Sequence, residues 1–212
     1  MLLALDTSTD LVSVALHDGT SVVGEKVNAV ERRHAETLNV VIDQLLSDAR
    51  IEPSQLTRIV VSTGPGGFTG LRVGLVTART LALALHIPCA GIMTLDAMAI
   101  AARERGDAES DFLVALDARR REVFWARYVD GVRVDGPRAD APQTLRTQPW
   151  GDLPIVGNIA HAYPAIFGTV IDAAPSAAGM ARALVAGSCE VTGPDPVYVR
   201  TPDATEPKPV VL

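Results

Sequence analysis

The sequence is poor in cysteine and in basic charge, and each shortage excludes a class of protein. Its two cysteines, Cys89 and Cys189, are too few and too scattered for a disulfide framework or a zinc site. The net charge of −6 argues against strong autonomous binding of tRNA or DNA, because phosphate neutralisation supplies most non-specific affinity. The 212 residues, 48% of them hydrophobic, are enough for a core in one or two small domains.

Signals for export and for membrane insertion are also missing. The first apolar run has no basic segment before it and is interrupted by Asp6, so no signal peptide is predicted. The longest uncharged run, residues 80–95, contains Pro88 and is interpreted as a helix end followed by a strand, not as a membrane span. We therefore expect a cytoplasmic protein.

Hydrophobic periodicity predicts two successive blocks of strands and helices. In the first block we predict strands at 2–6, 12–16, 21–27, 58–63 and 87–92, and helices at 33–49, 71–86 and 94–105, the last N-capped by Thr94. A charged break at 103–111 precedes the second block. There we predict strands at 112–117, 122–129, 132–134 and 153–157, a helix from Asn158, and a helix at 176–186 that Ser176 caps.

This pattern predicts an N-terminal subdomain at 1–105, a smaller C-terminal subdomain at 106–200, and a mobile tail at 201–212. We detect no internal repeat in the sequence.

The glycine-rich stretch from Gly64 to Gly74 is the most informative motif. It follows a buried strand and leads into an apolar helix, where unpaired N–H groups favour phosphate or carboxylate. One interpretation is therefore phosphate binding, with Gly64, Gly66 and Gly67 in the cradle. The favoured alternative is that the glycines permit a sharp turn and close helix packing, since no Gly-Lys-Ser/Thr arrangement follows.

Asp6, Thr7 and Ser8 end the first strand and form the counterpart of that loop. A strand followed by Asp-Thr-Ser and a hairpin resembles the phosphate cradle of the actin, sugar kinase and Hsp70 superfamily. Asp6 is a candidate general base, or a magnesium ligand through water. The favoured alternative is that these side chains close the hairpin through bonds to the backbone.

Several motifs together resemble the TsaB/YeaZ family, which takes part in tRNA threonylcarbamoyladenosine synthesis. The resemblance covers most of the chain and rests on Leu3–Thr9 with Ser13–Leu16, His34–Leu38, Gly64–Gly74, Asp117–Phe124 and Pro196–Arg200. The sequence departs from the family at Gly67, where serine is usual, and at Asn39-Val40, where Leu-Pro is usual.

The resemblance implies an α/β fold of the actin-like, Hsp70-like (ribonuclease H-like) superfamily, with two subdomains and mixed sheets flanked by helices. It implies a non-catalytic role beside TsaD, a metal-dependent paralogue that transfers threonylcarbamoyl to adenosine 37 of tRNAs reading ANN codons. TsaE, an ATPase, joins the pair. TsaD-like enzymes carry a His-x-x-x-His metal pair, whereas the corresponding positions here are Thr94 and Met98. We therefore expect no metal and no cofactor.

Two helices are expected to contact TsaD, or a second copy of the chain when TsaD is absent. The candidate interface residues are His34, Leu38, Val41, Ile42, Leu45, Leu71, Leu75, Val76, Arg79 and Leu83. The helix at 72–86 is apolar on nearly every side, so it is either a doubly covered core helix or, as we favour, a partner surface. The sequence does not fix which of its residues face outward.

The sequence supports two hypotheses about the function of the protein, and the missing metal pair favours the first. The first is an interaction protein that holds TsaD in its active arrangement and meets tRNA only in the complex. The second is a small ATPase or peptidase of the actin-like superfamily. Arg119–Arg121 are candidate tRNA contacts, with a solvated turn as the favoured alternative; pairing of Arg119 or Arg120 with Asp117 or a partner carboxylate is also left open. His34 is interpreted as a capping or interface histidine and not as a base.

Overall fold

The computed structural model describes residues 1–29, 33–108, 110–160 and 162–200. These residues form two five-stranded sheets with helices on their faces. The predicted tail at 201–212 lies outside the described residues. The prediction of a boundary near residue 105 stays a prediction.

The first sheet is built from β1 (Leu2–Asp6), β2 (Leu11–His17), β3 (Val22–Ala29), β4 (Arg58–Ser62) and β5 (Cys89–Ile92). Its spatial order is β3-β2-β1-β4-β5, with β1, β4 and β5 parallel and the β1-β2-β3 meander antiparallel. β1 is buried along its whole length because both of its faces are covered.

Helices α1 (His34–Ala49) and α2 (Phe68–Leu85) cover one face of this sheet. The apolar stripe of α1 packs against β2, and α2 packs against β4. α2 begins at Phe68, earlier than predicted, because Gly67 already occupies the N-cap position with extended backbone.

Helix α3 (Thr94–Glu104) follows β5, and Thr94 is its first residue. The prediction that Thr94 caps this helix is wrong: Met93 is the N-cap, and the Thr94 side chain is fully buried.

The second sheet is built from β6 (Asp111–Asp117), β7 (Val123–Val129), β8 (Val132–Asp140), β9 (Ile155–Gly157) and β10 (Val170–Asp172), with α4 (Pro142–Arg146) between β8 and β9. Its order, β10-β9-β6-β7-β8, repeats that of the first sheet element by element. No internal repeat was detected in the sequence, and the repetition is seen in the strand order of the tertiary structure. The helix predicted from Asn158 is also wrong, since the described residues there form turns before β10.

The last helix, α5 (Ala177–Ala186), returns to the first sheet and packs on β2 and β1. Ser176 caps it as predicted, accepting the Gly179 N–H at 3.1 Å. Ser13 on β2 accepts the Ala177 N–H at 2.9 Å, and Glu25 on β3 accepts the Ser176 hydroxyl at 2.8 Å. The bonds to Ser13 and Glu25 attach the start of α5 to strands that lie more than 150 positions earlier in the sequence.

Candidate functional site

A cleft of about 870 Å³ opens between the two sheets. Its walls come from the β1–β2 loop, the loop before α2, the β6–β7 turn and the last described residues of the chain. Among the residues that line it are Ser8, Asp10, Gly66, Gly67, Phe68, Asp117, Arg119, Arg120, Tyr198 and Arg200. Of the residues predicted to form a phosphate cradle, Ser8, Gly66 and Gly67 line this cleft, whereas Asp6, Thr7 and Gly64 do not.

The Asp6 carboxylate is enclosed in the protein, with 1% of its surface exposed. Oδ1 accepts the backbone N–H of Ser8 at 3.1 Å and the Ser8 hydroxyl at 3.0 Å. This is the turn-closing arrangement that the alternative interpretation predicts. Burial raises the pKa of Asp6 above its ordinary value, and the hydrogen bonds from Ser8 act in the opposite direction.

Replacing Asp6 by asparagine tests whether the negative charge of Asp6 contributes to folding stability. Because its folded-state pKa is raised, the unfolded chain releases this proton first as the pH rises from the ordinary value of 3.8. The charge therefore lowers folding stability until the pH passes the folded-state pKa, and the penalty persists above it. We expect Asp6→Asn to melt at or above the temperature of the unaltered chain near pH 7, and the difference to shrink near about pH 4. Calorimetry between about pH 4 and pH 7 measures the melting temperatures of both proteins. A clear loss of stability in Asp6→Asn at neutral pH would contradict the inference that the buried charge of Asp6 lowers folding stability.

The glycines of the loop lie where a side chain would collide with the β1–β2 loop. A Cβ atom on Gly66 would lie 2.3 Å from the Ser8 carbonyl oxygen, and one on Gly70 2.5 Å from the Thr7 carbonyl oxygen. The Gly67 N–H donates to the Ser8 carbonyl at 2.7 Å, and the Thr7 hydroxyl donates to the Gly70 carbonyl at 2.8 Å. Close approach of two backbones therefore accounts for these glycines without a ligand.

Asp117 is the acidic residue that the sequence analysis did not single out as a site candidate. It ends β6 as Asp6 ends β1, and its Oδ1 accepts the Arg119 N–H at 3.0 Å, the same turn geometry that joins Asp6 to Ser8. Unlike Asp6, it lines the cleft, with 21% of its side chain exposed. A signal was present in the sequence, since Leu113–Asp117 reads Leu-Val-Ala-Leu-Asp and Leu2–Asp6 reads Leu-Leu-Ala-Leu-Asp.

Arg119, Arg120 and Arg121 form the β6–β7 turn, and all three have positive φ values of 60°, 54° and 63°. Consecutive non-glycine residues rarely adopt this left-handed conformation, since it costs about 1 kcal/mol or more for each residue. Arg119 forms an ion pair with Asp10 at 2.5 Å across the mouth of the cleft and another with Asp117 at 3.4 Å. The pairing of Arg119 with Asp117 is one that the sequence analysis left open, whereas the pairing with Asp10, which bridges the two sheets, was not expected.

His34 is the first residue of α1 and is buried, with 9% exposure. Its Nε2 lies 2.7 Å from the Thr9 carbonyl oxygen, a distance at which the imidazole donates its proton. The side chain fixes the β1–β2 loop against α1, and it forms no side-chain cap of the helix.

The positions that correspond to the TsaD metal pair lie in the core. Thr94 and Met98 are 0% and 2% exposed, and Met98 packs among the side chains between α3 and the second sheet. Within the part of the chain that the structure describes, no group of three or more His, Cys, Asp or Glu side chains converges. These two side chains are packing residues here.

The structure corrects the predicted partner surface of α1 and α2. Most of the predicted residues are buried and face the first sheet, namely His34, Leu38, Val41, Ile42, Leu45, Leu71 and Leu75. They are buried because the apolar stripe of each helix is the face that packs on its own sheet. The candidates that remain on the surface are Val76, Arg79 and Leu83, with Val76 64% and Leu83 76% exposed.

α2 therefore has a covered inner face and an open outer face. By length and composition alone it is apolar enough to cross a membrane, and a third of it is buried against the rest of the chain. Its outer stripe, which we call the α2 stripe, consists of Phe68, Arg72, Val76, Arg79 and Leu83. Residues at this spacing share one side of a helix.

Duplicated sheets with the same strand order, facing each other across a cleft, define a protein of the actin-like superfamily. A polyphosphate/ATP-glucomannokinase from Arthrobacter shares this fold, with a TM-score of 0.51 over 88% of this chain and 98% of the kinase at 12% identity. YeaZ from Pseudomonas aeruginosa superposes with a TM-score of 0.76 at 27% identity, over 93% of this chain and 99% of that one. The fold class expected from sequence is confirmed.

Sequence comparison assigns the family. The family model described as TsaD, tRNA N6-adenosine threonylcarbamoyltransferase, matches residues 22–148. An uncharacterized protein of Mycobacterium tuberculosis is 39% identical over 95% of this chain and 92% of its own length. The tRNA threonylcarbamoyladenosine biosynthesis protein TsaB of Haemophilus influenzae is 40% identical, over 63% of this chain and 56% of that protein. The chain belongs to the family that this model describes and, within it, to the TsaB/YeaZ group.

Proposed function

We propose that this chain serves the synthesis of threonylcarbamoyladenosine in tRNA as a non-catalytic partner of TsaD. The support for the pathway is the name of the TsaB relatives, which the chain matches over 54–60% of their length, and the TsaD family model. The observation that supports a partner role is the α2 stripe, where Val76 and Leu83 stay exposed although the inner face of α2 packs on the sheet. Exposed apolar side chains in one stripe are typical of association surfaces.

The non-catalytic part of the proposal rests on the cleft. A general base must come within hydrogen-bond reach of its substrate, and the Asp6 carboxylate is buried and does not line the cleft. Thr94 and Met98, at the positions of the TsaD metal ligands, are core side chains. The remaining cleft carboxylates, Asp10 and Asp117, both pair with Arg119.

The partners in this proposal are TsaD, with TsaE joining the pair, and a second copy of the chain when TsaD is absent. A two-fold contact through the α2 stripe would bury the same apolar residues twice. We place the tRNA contact in the complex, because the net charge is −6 and Arg119 is already paired with two carboxylates. The proposed location is the cytoplasm, where tRNA is modified.

Reconstitution tests this proposal against the alternative, a small ATPase or peptidase. We expect the purified chain alone to show no ATP hydrolysis, no peptide cleavage and no threonylcarbamoyladenosine synthesis. Adding it to TsaD and TsaE of the same organism should raise tRNA modification, measured by mass spectrometry of digested tRNA. Hydrolysis by the chain alone that Asp117→Asn abolishes would favour the enzyme alternative, since Asp117 is the acid that lines the cleft. Failure to stimulate modification would overturn the proposal.

A further inference from the structure

The last described residues of the chain are fixed against the first sheet and α2. We call residues 191–200 the C-terminal strap. Gly91 and Thr192 exchange backbone hydrogen bonds of 2.8 and 2.9 Å, and the Val197 N–H donates to the Thr63 carbonyl at 2.7 Å. Asp195 forms an ion pair with Arg79 at 3.3 Å. The strap thus lies beside the α2 stripe.

The strap and α2 together hold one guanidinium group in a fixed plane. The Cζ atom of Arg72 lies 3.6 Å from the centre of the Phe68 ring and 5.6 Å from the centre of the Tyr198 ring. Its Nε–H donates to the Tyr198 hydroxyl at 2.8 Å. Among the described residues, no hydrogen bond or ion pair engages its terminal nitrogens, Nη1 and Nη2.

An arginine that lies over an aromatic ring, and whose terminal nitrogens meet no partner among the described residues, is organised for a planar anion. Carboxylates and phosphates accept two parallel N–H bonds from one guanidinium, and fixing the donor in advance lowers the entropy lost on binding. Phe68 and Tyr198 supply that fixation while 46% and 42% of their surfaces stay exposed. Exposed Tyr and Arg side chains are also those that contribute most to protein interfaces.

We propose that Arg72, oriented by Phe68 and Tyr198, is the anchor of the partner surface and takes a carboxylate of the partner protein. This inference rests on the proposed function, because the α2 stripe is the surface it extends. The stripe places Arg72 one turn from the exposed Val76, and α2 carries arginine but no aspartate or glutamate. An acidic side chain beside an apolar contact surface is the complement of this arrangement.

A carboxylate is favoured over an RNA phosphate by the surroundings of Arg72. Its neighbours along the stripe are apolar, and Arg79, the next arginine, already pairs with Asp195. A phosphate site on RNA usually lies within a broader basic surface. The strap therefore completes a protein-recognition site, and Tyr198 is its positioning residue.

Titration calorimetry of the full chain with purified TsaD of the same organism tests the inference at physiological salt. Arg72→Lys keeps the charge but loses the planar pair of donors, and should weaken the dissociation constant by about tenfold or more. Tyr198→Phe keeps the ring and loses the acceptor of the Arg72 Nε–H, and should weaken binding by a smaller factor. The matched control is Arg138→Lys, an exposed arginine 6.0 Å from the Trp125 ring in the second sheet, which should leave affinity unchanged.

Thermal melts of all variants should coincide with that of the unaltered chain, which separates binding from folding. If the unaltered chain binds TsaD and Arg72→Lys binds equally well, this inference is overturned while the proposed function stands. If Arg72→Lys keeps its affinity for TsaD but lowers the affinity of the assembled complex for tRNA, the anion is a phosphate and the carboxylate assignment is overturned. If the unaltered chain does not bind TsaD, both proposals are overturned.

Discussion

Glutamate in place of Val76 or Leu83 is expected to abolish association with TsaD while the chain stays folded. Both side chains are exposed in the isolated chain, at 64% and 76%, so surface substitutions there should change folding stability by no more than about 0.5 kcal/mol. Buried in an interface, the new carboxylate would lose its hydration without a partner. We expect the dissociation constant to rise by about 100-fold or more, equivalent to about 2.7 kcal/mol.

Two control variants make this result specific. Val132→Glu places the same charge on a valine that is 66% exposed in β8, on the second sheet, and should leave affinity and tRNA modification unchanged. Leu75→Glu lies one residue from Val76 but is 4% exposed, so it should unfold the chain. Calorimetric binding, thermal melts and modified tRNA in cells are the measurements. Full binding by both Val76→Glu and Leu83→Glu would show that the outer face of α2 is not the contact surface.

A methyl group on Gly66 is expected to destabilise the protein strongly. The added Cβ would lie 2.3 Å from the Ser8 carbonyl oxygen and 2.8 Å from its Cβ, so two backbone segments would have to separate. Overpacking of this kind costs about 1–3 kcal/mol, and more where backbone cannot move. For a chain of this size the melting temperature should fall by roughly 3–10 °C.

The neighbouring glycine supplies the matched control. A Cβ on Gly67 would meet nothing closer than the Ser8 carbonyl oxygen at 3.7 Å, and its φ of −63° suits any residue. Gly67 is the N-cap of α2 and offers no side chain to the first helical N–H groups, so Gly67→Ser should keep or slightly raise the melting temperature. Equal destabilisation by Gly66→Ala and Gly67→Ser would show that the loop needs glycine flexibility and not close contact.

Most of the secondary structure was predictable because alternation and three-to-four-residue spacing are local properties of the chain. β1, β2, β4, β6 and α1 lie within about a residue of their predicted bounds. The short elements α4 and β10 were missed because they have too few residues to show a period. The prediction of a helix from Asn158 was wrong because a start signal without a sustained apolar stripe after it does not define a helix.

Within the candidate site, the sequence located the loops but not the direction of their side chains. Asp6 was a candidate cleft carboxylate with hairpin closure as the favoured interpretation, and it is buried, whereas Asp117 at the equivalent strand end lines the cleft. Helices α1 and α2 were predicted correctly as elements with apolar stripes, but the stripe of α1 belongs to the core. Which side of an apolar helix stays exposed depends on what packs against it from distant parts of the chain.

The sequence alone determined the order of strands and helices, the two glycine- and hydroxyl-rich turns, and membership of the TsaB/YeaZ group, because periodicity and motif spacing are written in consecutive residues. Only the tertiary structure decided that the second sheet repeats the first, that α5 returns to the first sheet, and that Arg72 lies over the Phe68 ring and donates to the Tyr198 hydroxyl. The physical reason is that burial and stacking depend on contacts between residues far apart in the chain. Tyr198 is 126 positions from Arg72, and no local pattern links them.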